Sequence, residues 1–180
     1  RIYDAVGHGP STTKDKRTRN LFHPGATTPF VNKRLIWLTI YAVAMAYLES
    51  AVVVYLRVIY YPEGFSFPFV LIEPGMAAIE VGREAATLVM LLGVTAAMSV
   101  DRWEWFLAFC LSFGVWDIFS YVWLWIFLGW PASLLTWDVL FLIPVPWIGP
   151  VLAPIIVSVA LIVGSLLALR VKRQGAHLAL

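Results

Sequence analysis

The chain has 180 residues, is 61% hydrophobic and has a mean hydropathy of +0.81. Charged residues make up 13%, about half the roughly 25% usual for a soluble domain, which excludes an ordinary water-soluble globule. The net charge of +2 comes from unevenly spread basic residues, and a nucleic-acid partner is not expected from it. A single cysteine, Cys110, excludes an internal disulfide and thiol-pair redox chemistry. The sequence therefore reads as an all-α integral-membrane protein, a bundle of four transmembrane helices.

Residues 1–32 are expected to form a basic, polar, irregular tail, with Lys14-Asp15-Lys16-Arg17-Thr18-Arg19 at its centre and glycines and prolines around it. The chain opens at Arg1 without a methionine, so it is read as processed or incomplete there, and no cleavable signal peptide is expected in it. A single transmembrane domain is expected over 33–173, followed by a short C-terminal tail over 174–180.

The first span is read over 35–61, longer than the ~20 residues needed to cross a bilayer. Lys33-Arg34 hold its start and Tyr60-Tyr61 mark its far interface, before Pro62 ends it. A loop with Glu63 and Glu73 leads to the second span, 75–98. The small row Ala78, Gly82 and Ala86 suggests close packing there, and span two is expected to be the most enclosed helix. On span one, Ala42, Ala46 and Ser50 form a similar row. A tight turn returns the chain into the third span, 103–128.

Residues 129–150 carry four prolines and three tryptophans. The longest apolar run, Val139 to Ile143, is too short to cross. The expected structure is a short interfacial or re-entrant helix followed by a proline-rich turn. Trp130, Trp137, Phe141 and Trp147 make this segment a candidate partner contact. The fourth span, 151–169, is uncharged and closes on Arg170, Lys172 and Arg173.

Neither loop that joins span one to two, or three to four, holds a lysine or arginine. The positive-inside rule then places both termini on the cytoplasmic side, with a bacterial or archaeal inner membrane as the expected location.

Six ionisable residues lie inside apolar runs: Glu49, Arg57, Glu80, Arg83, Glu84 and Asp117. Antiparallel packing brings them to one slab. An unpaired charge at the bilayer centre costs about 2.5–3.5 kcal/mol, so they should face one another. Glu49 with Arg57, and Arg83 with Glu80 or Glu84, are the expected ion pairs. Tyr47, Tyr55, Trp116 and Tyr121 are candidate linings of a pocket beside them. All three histidines lie in the termini, so no haem, metal or other cofactor is expected.

Three functions fit this pattern. The leading one is a non-catalytic subunit of a larger membrane complex, energy-converting complexes included, with the charge cluster setting the bundle. It needs the bilayer and other membrane subunits as partners. The second is proton or cation translocation through the carboxyls. The third is an intramembrane enzyme or binding protein for an isoprenoid, quinone or lipid.

Overall fold

The computed structural model describes residues 29–61 and 73–178. The basic tail up to residue 28, with His8 and His23, lies outside the described residues, as does the part of the first loop that holds Glu63.

Four helices dominate: α1 (Pro29–Tyr60), α2 (Pro74–Met98), α3 (Arg102–Leu128) and α4 (Leu152–Leu178). Each is long and apolar enough to cross a membrane. The chain runs up and down, so one end of the bundle holds the start of α1, the α2–α3 turn and the end of α4. The other end holds the α3–α4 connection. These are called the terminal end and the hairpin end below. α1 begins within the expected tail and α4 continues to Leu178, past the expected boundary.

The helix ends follow local chemistry. Pro74 opens α2, where its missing N–H costs nothing. Asp101 caps α3 by accepting from the main-chain N–H groups of Trp103 and Glu104 at 2.9 and 3.0 Å. Gly129 closes α3 in the left-handed conformation at φ 63°, which costs glycine no Cβ clash.

The 129–150 segment differs from its expectation. It contains a β-hairpin, not a helix: β1 (Trp137–Phe141) pairs antiparallel with β2 (Trp147–Pro150), with Asp138 opposite Gly149. Trp137, Val139 and Phe141 in β1 and Trp147 and Ile148 in β2 are aromatic or β-branched, as strands favour. The prolines between them stop a helix and leave a turn. Thr136 accepts from the Val151 N–H at 3.0 Å, and Leu134 from the Leu152 N–H at 2.7 Å, tying the hairpin to α4.

The most enclosed helix is α3, not α2. In α3, 56% of the most apolar window is buried, against 22% in α2. α2 buries one stripe, Glu80, Glu84, Thr87, Leu91 and Thr95, at the i, i+4, i+7 spacing of a single helix face. Its small row Ala78, Gly82 and Ala86 is exposed on the other side. The row on α1 does pack: Ala42, Ala46 and Ser50 are fully buried. Ser50 donates to the Ser120 carbonyl at 2.8 Å, which brings α1 and α3 into close contact. At Gly114, an added Cβ would lie 2.7 Å from the Ser158 carbonyl, so the α3–α4 crossing depends on the missing side chain. Ala42, Met45, Ala46, Leu91, Val115 and Trp116 form the central apolar cluster.

Candidate functional site

A cavity of about 540 Å³ opens between α1, α2, α3 and the hairpin. Its apolar wall includes Val53, Leu56, Leu124, Val139, Leu140 and Ile148. Seven acidic and arginine side chains reach it: Glu49, Arg57, Glu80, Arg83, Glu84, Asp117 and Asp138. The six residues expected to form a buried charged cluster therefore do converge. Asp138 of the hairpin is a seventh, outside the six expected positions.

The pairing follows the expected scheme at Arg83–Glu80 and differs from it at Glu49 and Arg57. Arg83 bridges two carboxylates: Nη1 meets Glu49 on α1, while Nε donates to Glu80 Oε1 at 3.0 Å. The i,i+3 spacing on α2 supplies the Glu80 half of this bridge. The Glu49 half comes from the facing helix, and Thr87 adds a hydroxyl 3.4 Å from Glu49 Oε2. Glu49 does not pair with Arg57. Arg57 turns to the hairpin instead, with Nη2 3.5 Å from Asp138 Oδ1. Its guanidinium also lies 3.7 Å from the centroid of the Trp130 ring, a cation–π contact.

Burial pushes the Asp138 carboxyl up to about 6, a rise that Arg57 and a hydrogen bond from Tyr121 only partly offset. Glu84 does not pair with Arg83. Both its oxygens lie 3.0 Å from the Leu142 main-chain N–H, just past β1. Asp117 accepts from the Ser158 hydroxyl of α4 at 2.6 Å. The hairpin is thus held over the cavity from two sides: by Glu84 of α2 and by Arg57 of α1.

Of the expected pocket residues, Trp116 and Tyr121 line the cavity. Tyr47 and Tyr55 do not. Tyr47 packs edge-on against Trp123 and Phe127 on the outside of the α1–α3 pair. Tyr55 is 64% exposed. Both positions fall off the Glu49 stripe when the helix is turned 100° per residue. The four expected contact aromatics also divide. Phe141 faces the cavity and packs against Phe113, and Trp130 covers Arg57. Trp137 and Trp147 are 56% and 57% exposed.

Among the described residues, no three His, Cys, Asp or Glu side chains stand close enough to hold a metal ion. The arrangement suits instead a molecule with an apolar body and a polar end. Its volume falls within the roughly 300–1,000 Å³ of small-molecule sites, and apolar walls with a few convergent polar groups are their usual lining. Comparison with known protein families, curated proteins and solved structures finds no match to this chain.

Proposed function

We propose that this chain is a multi-pass membrane protein that binds an amphiphile of the isoprenoid, quinone or lipid class. The cavity at the hairpin end is the site. One observation carries the reading: an apolar-walled space of about 540 Å³ with arginines and carboxyls on its surface. A bundle whose charges served only to set helix register would close on them, because open volume forfeits packing contacts. The polar end of the ligand would sit among the charges and its tail along Val53, Leu56 and Leu124. Both termini would lie on the cytoplasmic side, as the basic residues direct.

Translocation of protons or cations is less well supported. Next to the cavity, toward the terminal end, lies the apolar cluster of Ala46, Leu91 and Trp116, which gives an ion nothing to replace its water.

The test is native mass spectrometry of the protein, extracted gently from its own membranes. Wild-type protein is expected to carry a retained lipid-like mass. Ala77→Phe, which fills the cavity from α2, is expected to lose it. Intact wild-type protein that arrives bare would overturn the reading.

A second reading, as a subunit of a larger membrane complex, is supported by the exposed Trp137 and Trp147 at the hairpin end. Stoichiometric partner subunits in the same spectrum would favour it. A bilayer interface accounts for the two tryptophans equally well.

A further inference from the structure

We propose that the polar end of the ligand is a protonated amine, held by Asp117 and Glu84. The inference rests on the amphiphile reading above and adds the charge of the ligand.

Five carboxyls and two guanidiniums line the cavity. Both guanidiniums are engaged. Arg83 is divided between Glu49 and Glu80, and Arg57 stands beside Asp138 under Trp130. Glu49, Glu80 and Asp138 are thereby each served by a cation. Glu84 and Asp117 are not: among the described residues neither has an arginine or lysine within ion-pair distance. Glu84 takes a main-chain N–H, and Asp117 takes a hydroxyl on Oδ2 that leaves Oδ1 unused. Enclosed carboxylates without a counter-charge are held at a cost, and a cation brought in with a ligand removes it.

The surplus of acids decides the class of head group. A phosphate, sulfate or carboxylate would meet like charge, with both arginines already committed. A hydroxyl offers one donor and no charge. An ammonium offers three donors and a full positive charge, and charge-assisted hydrogen bonds are roughly twice as strong as neutral ones. An aliphatic amine, with a pKa near that of lysine at about 10.4, is protonated at neutral pH. The aromatic residues Tyr60, Trp116 and Tyr121 line the same cavity, and aromatic rings suit a cation. The absence of a three-ligand cluster among the described residues points to an organic cation, not a metal.

The full chain in phosphatidylcholine nanodiscs provides the test. Dodecylamine, dodecanol and dodecanoate are titrated in turn, and the rise in unfolding midpoint gives an apparent dissociation constant. Dodecylamine is expected to bind about ten-fold or more tightly than dodecanol, a difference one charge-assisted contact supplies. Dodecanoate is expected to produce no shift. Asp117→Asn and Glu84→Gln should each bring the ratio of dodecylamine to dodecanol affinity down toward one. The second variant keeps the test open should the first not fold.

Equal binding of dodecanol or dodecanoate, or an amine preference that survives both substitutions, would overturn the assignment of the head group and leave the cavity reading standing. If none of the three chains stabilises the protein, the amphiphile reading falls with it.

Discussion

The two ends of this bundle are built from the same four helices and treat polar groups in opposite ways. At the terminal end, the buried hydroxyls bond to nearby main chain. Thr95 and Ser112 are fully buried and donate to the carbonyls of Leu91 and Ala108, one turn back on their own helices. Small residues such as Ala42 let the helices touch. At the hairpin end the carboxyls and arginines also reach across between elements, as Arg83 does to Glu49 and Arg57 to Asp138. Space remains between them, and a strand pair closes over it. Buried hydroxyls satisfied on their own helix leave a packed end, and buried charges shared between elements leave an open one.

The sharpest way to break this contrast is Arg83→Ala. Removing the one guanidinium shared by Glu49 and Glu80 leaves two enclosed carboxylates without their cation. The expected loss is about 3–5 kcal/mol, the usual cost of removing one member of a buried ion pair. Denaturant unfolding in micelles measures it. A loss below 1 kcal/mol would mean that water already reaches the cluster.

A change of pH sharpens the comparison at the hairpin. Asp138 has a value of about 6 when docked, against 3.8 when free. The docked hairpin therefore holds the extra proton between these values. Docking is strongest below about pH 4 and weakens as pH rises toward 6, by up to roughly 3 kcal/mol from the difference in pKa. Hydrogen exchange of the Val139 and Ile148 amides should speed up over that interval. In Asp138→Asn the pH dependence should vanish, and its persistence would assign it to another group.

The smallest expected effect is at the terminal end. Lys172, together with the two capped amides, holds the Asp101 carboxyl below its usual value. Its contribution is present above that usual value and lost as pH falls through the lowered one. Asp101→Ala should lower the unfolding midpoint slightly at pH 7 and leave ligand binding at the hairpin end unchanged.

How much of this was legible in the sequence depends on how far each residue's partner lies along the chain. Four apolar stretches predicted four helices, because hydrophobic length acts locally. The buried charges declared themselves for the same reason. Their pairing did so only where both partners lie on one turn, as for Glu80 and Arg83. Glu49 and Arg57 are two turns apart on one helix and read as partners, yet Arg83 of the facing helix takes Glu49. That choice is set by helix rotation, which a single sequence does not carry. Asp138 was missed because its burial depends on the hairpin folding back. The hairpin was misread in turn because a short apolar run fits a strand or a helix equally. Its β-branched and aromatic residues, bounded by prolines, were the available signal.

Two indoles bind the helices in a one-sided way. Trp123 Nε1 donates to the Val43 carbonyl at 3.2 Å, and Trp105 Nε1 to the Leu92 carbonyl at 3.1 Å. Each acceptor is main chain, which any residue supplies. Val43 and Leu92 are free to vary in identity so long as the helix persists. Trp123 and Trp105 are not, since no other apolar side chain carries that donor. Mutational tolerance should accordingly be lopsided across each contact, so a search for compensating pairs of substitutions would pass over two of the joints between these helices.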